Sequence, residues 1–150
     1  MMAEDLKTFV NITTSYFDSV TQKTADLGIP FIKNRENTFF LDYTGVIGIS
    51  GLKKGAMYFT TSGGMLWTIA QILLPGEEEI GEEILMDIAG EIANTIAGNA
   101  REVFGENFWI SVPFVFRGKP DEVLLNVQTP VYVIPIIWEN FQSFLGIGLD

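Results

Sequence analysis

The chain contains neither cysteine nor histidine. Without cysteine there are no disulfides and no thiolate metal sites. Without histidine there is no Ser-His-Asp triad, no Cys-His pair, no imidazole base and none of the usual zinc ligand sets. Basic residues are also scarce: 9 Lys and Arg stand against 19 Asp and Glu, for a formal net charge of −10. That sign argues against nucleic acid, whose phosphates need a basic face, and against anionic membrane surfaces; beyond that it signals solubility. Long hydrophobic runs are missing too. The longest apolar stretches, 108–116 and 131–138, fall far below the roughly 18 residues a bilayer span needs. The opening Met-Met-Ala-Glu-Asp lacks the basic-then-apolar order of a signal peptide, so the expected location is the cytoplasm. Any chemistry must rest on carboxylates, amides, hydroxyls, lysine, arginine, or a group brought by a partner.

What is present is enough apolar material for one domain, 1–150, with a real core: 47% of the 150 residues are hydrophobic. Residues 4–25 read as an amphipathic helix, with Leu6, Phe9, Val10, Thr13, Phe17 and Val20 on one face. Gly28 and Pro30 are its expected stop. Residues 29–61 carry strand signals: a short one at 31–33, a longer one at 38–50, a polar turn at Leu52-Lys53-Lys54-Gly55 and a return strand at 56–61. Gly45, Gly48 and Gly51 have the spacing G-x-x-G-x-x-G inside a strand with no helix directly after it. They are therefore expected to permit close backbone approach rather than to bind phosphate. Ser62 is positioned to cap a short apolar helix at 65–74, stopped by Pro75-Gly76. A glutamate-rich lead-in then opens a long helix at 82–104, its acids suited to the positive end of the helix dipole. Residues 108–117 read as one strand and 123–128 as a short one. Residues 131–138 read as a strand whose internal Pro135 points to an edge or a bulge. An apolar edge would invite sheet extension into a homodimer. The sum is an α+β fold with a mixed, largely antiparallel sheet packed with helices.

The long helix is the most informative segment. At about 100° per residue, Ile84, Ile88, Ile92 and Ile96 form an apolar stripe, joined by Leu85 and Val103. Asp87, Glu91, Asn94 and Gly98 fall on the opposite side within an arc of about 60°. An acid and a carboxamide three residues apart can reach one ligand atom or water. Gly90 and Gly98 flank them. Each glycine costs about 1 kcal/mol in a helix interior relative to alanine, which suggests that something approaches this face closely.

The motif Asp87-x-x-x-Glu91-x-x-Asn94, followed by Gly98-Asn99, resembles the signature of the CheC/CheX/FliY phosphatases, which act on the chemotaxis response regulator CheY. The family pattern continues to a proline some twenty residues on; Pro113 stands slightly closer than that, with 18 residues between it and Asn94. The order of elements is similar over most of the chain, implying a CheC-like domain. Glu91-x-x-Asn94 has no second copy, since Glu36, Glu102, Glu106 and Glu139 lack Asn three residues later; a single copy is most like CheX, a homodimer in the family.

The resemblance implies an enzyme that hydrolyses the aspartyl phosphate of a CheY-type response regulator. The regulator would bring the phosphate, Mg²⁺ and a lysine, with no cofactor bound by this chain. It implies that Asn94 holds a water in line with the acyl phosphate, using both donor and acceptor of its amide. It implies that Glu91 pairs with the regulator's lysine; a general-base role is the weaker alternative, because ordinary carboxylates are poor bases at neutral pH. Asp87 would accept a hydrogen bond at the interface or is only a surface acid. Gly90 and Gly98 would admit the partner's backbone. Arg101 lies near the same side and either pairs with acids such as Glu83 or touches the partner; Asn99 is given no catalytic role. Two other readings compete: a non-catalytic binding or adaptor module in flagellar-switch or two-component signalling, and, weakest, a carboxylate metal enzyme built on Asp87 and Glu91.

Overall fold

The computed structural model describes residues 1–33, 40–118 and 130–150. The helix α1 (Ala3–Thr21) starts the chain. It stops well before Gly28, at Gln22, which turns into the left-handed region with φ 59°. The reason is tertiary. The next residues form β1 (Ala25–Leu27), which pairs with a strand near the C-terminus, β7 (Val131–Trp138), in the register Ala25↔Trp138. Trp138 closes the junction by donating its indole N–H to Thr21 Oγ1 at 3.1 Å.

Next come β2 (Phe31–Lys33), β3 (Tyr43–Gly51) and β4 (Gly55–Thr61). They are followed by α2 (Gly63–Leu73) and α3 (Glu82–Phe104). Then come β5 (Phe108–Ile110) and β6 (Phe114–Arg117), and after β7 the chain ends with β8 (Phe141–Leu149). Ser62 caps α2 as expected, its Oγ accepting from the Met65 N–H at 3.2 Å. The strand expected to begin at 38 begins at 43; residues 34–39 lie outside the described residues, as does the whole 123–128 segment. β8 has no counterpart in the sequence reading, because Gly146 and Gly148 interrupt its apolar pattern.

All strand pairings among the described residues are antiparallel, in the order β1-β7-β8-β4-β3-β5, with β2 also on β7 and β6 also on β3. Side chains alternate across this sheet. Gly45, Ile47, Met57, Phe59, Leu145, Ile147 and Ile134 share one face through their register partners. Most join the core formed with Phe9, Phe17, Leu66, Ile69, Ile92 and Ile96 of the helices. α3 comes closest at Gly45, where a Cβ would stand 3.0 Å from the Ala89 carbonyl oxygen and 3.2 Å from Ala93 Cβ. The close backbone approach expected of the strand glycines is made by α3 at Gly45 alone; Gly48 faces Ser111. Gly51 serves a turn, with φ +100°.

Two sequence expectations are corrected. β7 is not an edge strand, since β1 and β2 cover its outer side. Pro135 is tolerated because it lies where the chain passes from β1 to β2. There its carbonyl accepts from the Gly28 N–H at 2.8 Å, and its missing donor faces the gap between the two short strands. An apolar edge for sheet extension is thus not available at β7.

Residues 108–117 also do not form one strand. β3 residues Ile49 and Val46 pair with Ile110 and Phe114. Two β3 residues therefore oppose three, Ser111, Val112 and Pro113, which is a bulge of one residue. Ser111 secures it: its Oγ accepts from the Gly48 N–H at 2.8 Å, and its own N–H donates to the Gly48 carbonyl at 2.9 Å. The extra residue reverses the alternation. Phe108 and Ile110 face the helices from β5, whereas Val115 and Arg117, with Pro113 before them, face the helices beside β6.

Candidate functional site

α3 buries Ile88, Ala89, Ile92, Ala93, Ile96, Ala97 and Ala100. The small residues lie toward the sheet and the isoleucines between sheet and α1, consistent with the helical period. Val103, expected in the stripe, is 61% exposed. Phe104 carries the packing of the last turn instead, stacked on Phe108 at 5.0 Å between ring centroids and 5.9 Å from Phe9.

The polar side of α3 stays uncovered. Asp87 and Glu91 are exposed, and Asn94 and Gly98 partly so. By helix geometry Glu91 and Asn94 are about 60° apart and about 4.5 Å along the axis. Thr95, one turn after Glu91, steadies it: the Thr95 hydroxyl donates to Glu91 Oε1 at 3.3 Å. In the sequence, Thr95 is marked only by its i,i+4 spacing from Glu91. The carboxamide of Asn94 makes no hydrogen bond with the described residues.

One flank of this face is a groove of about 700 Å³ lined by Glu82, Glu83, Met86, Asp87, Gly90, Glu91, Pro113 and Val115. The bulge is what delivers Pro113 and Val115 to it. Gly90 is buried beneath them: a Cβ there would meet Val115 Cγ2 at 2.9 Å and Pro113 Cγ at 3.7 Å. The close approach that the sequence suggested for a partner at Gly90 is thus made by the chain's own β6 segment. Gly98 differs, with nothing within 4 Å of its added Cβ. Arg117 closes one end of the groove through a 2.7 Å ion pair with Glu82.

On the other flank, Tyr16 of α1 is buried and its hydroxyl is pushed up to about 12, first by burial and then by the negative charge of Glu91. It therefore stays neutral at physiological pH and adds no second charge beside Glu91. Arg101 does not pair with Glu83; its guanidinium carbon lies 5.1 Å from the centroid of the Trp109 ring.

No group of three or more His, Cys, Asp or Glu able to hold a metal ion occurs among the described residues. No described helix is long and apolar enough to cross a membrane. Chemically, the face offers an anchored carboxylate, a free carboxamide one turn away and an open approach, which suits binding a cation and orienting a water at a partner's surface.

Comparison with known proteins agrees with this geometry. The chain is similar to chemotaxis protein CheX from Vibrio vulnificus (24% identity, 99% of this chain and 100% of that one, TM-score 0.84). It is similar to CheX from Desulfovibrio desulfuricans (24% identity, 98% and 99%, TM-score 0.86). It also resembles the CheX–CheY–BeF3–Mg²⁺ complex from Borrelia burgdorferi (17% identity, 97% and 97%, TM-score 0.78). These likenesses establish the fold. No curated protein matches the chain. The family model for the chemotaxis phosphatase CheX matches residues 43–137, more than half of the sequence and all of α3. The chain belongs to the chemotaxis phosphatase CheX family.

Proposed function

We propose that this protein hydrolyses the aspartyl phosphate of a CheY-type response regulator in the cytoplasm. One observation carries the reading: the unbonded carboxamide of Asn94 stands one turn from the Thr95-held carboxylate of Glu91 on an uncovered helix face. Family membership supports it, as does the Borrelia burgdorferi relative captured with CheY, BeF3 and Mg²⁺.

In this reading Glu91 pairs with a lysine of the receiver and sets the docking register. Asn94 orients the attacking water through its donor and acceptor. Water positioning of this kind suits phosphoryl transfer, where placement and electrostatics do most of the work. The receiver brings Mg²⁺ with its phosphoaspartate. Asp87 accepts a hydrogen bond from the partner, and Gly98 lets its backbone approach. A homodimer belongs to the same reading, formed by a surface other than β7. Sedimentation at twice the 16.7 kDa chain mass checks it; a monomer mass at all concentrations refutes it.

The test is phosphate release from a phosphorylated CheY-type receiver with Mg²⁺, comparing the wild type with Asn94→Ala. Acceleration by the wild type that falls about 100-fold or more in the variant supports the proposal; the scale is that of removing one positioned catalytic amide. Receiver binding without acceleration would instead identify a non-catalytic adaptor.

A further inference from the structure

Resting on the reading above, we infer that Arg101, held over the Trp109 ring, is a second docking point that takes a carboxylate on the receiver's surface and fixes the receiver's orientation along α3. Arg101 follows Asn94 by seven residues, two turns, so the two lie within about 20° of one another around the helix and about 10 Å apart along it. Glu91, Gly98, Asp87, Asn94 and Arg101 together occupy an arc of about 80°. Arg101 is exposed and makes no ion pair with the described residues. Arg117, the other arginine beside α3, is already engaged by Glu82.

The cation–π contact with Trp109, 5.1 Å from guanidinium carbon to ring centroid, restrains the Arg101 side chain, and with no ion pair among the described residues its N–H donors are open to a carboxylate. Trp109 itself is 53% exposed at the sheet edge, on the last strand of the sheet path. Pairing with Ser50 on the edge strand puts it there, where its ring reaches past the sheet edge to Arg101. Trp and Arg are the residue types that dominate binding energy at interfaces.

The Asn94 side of α3 therefore runs from acid to base along its length. Glu83, Asp87 and Glu91 lie on the N-terminal half; on the C-terminal half Arg101 borders the Asn94 side of the face, and Glu102 stands about 100° round from it, past the Glu91 side. Charge complementarity names the occupant. The fitting surface is a receiver whose lysine meets Glu91 and which carries a separate, metal-free carboxylate about 15 Å further along α3, at Arg101. A lysine at Glu91 and an acid at Arg101 allow one orientation and disfavour the reverse, which would place acid against acid.

The experiment measures the Kd for a beryllofluoride- and Mg²⁺-loaded CheY-type receiver, together with KM and kcat for dephosphorylation. It uses wild type, Arg101→Ala, Arg101→Lys, Trp109→Leu and, as a charge-matched control, Lys23→Ala. Lys23 pairs with Glu139 and lies away from α3. Arg101→Ala is expected to weaken Kd and raise KM about tenfold with kcat within twofold, and to flatten the salt dependence of binding. Arg101→Lys and Trp109→Leu are expected to fall between, because each keeps only the charge or only the unstacked guanidinium. Lys23→Ala is expected to bind like wild type. A wild type that binds and dephosphorylates the receiver while Arg101→Ala leaves Kd and KM unchanged overturns this inference alone. Equal weakening by Lys23→Ala also overturns it, by reducing the effect to net charge. A wild type that neither binds nor dephosphorylates any receiver overturns the proposed function and this inference with it.

Discussion

Gly90 and Gly98 occupy the interior of the same helix, yet alanine at each should change stability in opposite directions. The propensity gain is the same at both, about 0.5–1 kcal/mol. At Gly98 nothing lies within 4 Å of the added methyl, so the gain is realised and Tm should rise by about 2–4 °C for a chain of this size. At Gly90 the methyl meets Val115 Cγ2 at 2.9 Å, with Pro113 at 3.7–3.8 Å behind it. Neither neighbour yields easily: valine is stiff at χ1 and proline is locked in a ring. Overpacking of this kind costs about 1–3 kcal/mol, so Gly90→Ala should be destabilising by up to about 2 kcal/mol. Urea denaturation of both variants followed by circular dichroism reads the difference. If both variants are stabilised alike, the packing of α3 on the bulged β6 segment is wrong. If Gly98→Ala is destabilised, the open space over that face is wrong. In the phosphatase assay Gly98→Ala should raise KM despite its greater stability, because its methyl stands on the docking face.

Three further outcomes can be checked. Thr21→Val removes the acceptor of the buried Trp138 indole N–H and should cost about 1–3 kcal/mol in urea denaturation. Ser62→Ala removes the cap of α2 and should cost about 1 kcal/mol by the same measurement. The raised Tyr16 hydroxyl favours the neutral form in the folded state. Its contribution is therefore complete below the ordinary tyrosine value near 10 and is lost as pH rises from there toward about 12. The loss is on the order of 2–3 kcal/mol, and Tyr16→Phe should unfold less steeply with pH across that window; identical alkaline profiles would refute the assignment.

Much of the site was legible in α3 because helical period is a local property. Asp87, Glu91, Asn94 and Gly98 share the open side by spacing alone, and the boundaries 82–104 follow from the acidic start and Gly105. The cap at Ser62 and the hairpin of β3 and β4 are local in the same sense. The tertiary structure decided what depended on partners distant in sequence. α1 ends early because 25–27 join a strand over a hundred residues away. Pro135 sits inside the sheet because two short strands divide the side it faces. The bulge at 111–113 depends on pairing with β3 and reverses which side chains face α3. That reversal builds the groove from Pro113 and Val115 and claims Gly90 for internal packing, while pairing of Trp109 with Ser50 at the sheet edge sets its ring against Arg101. Sequence spacing fixed which polar groups share a helix face, since a helix repeats every 3.6 residues whatever surrounds it. Only the fold could decide what covers that face, because strand register is set by contacts between segments that no local pattern records.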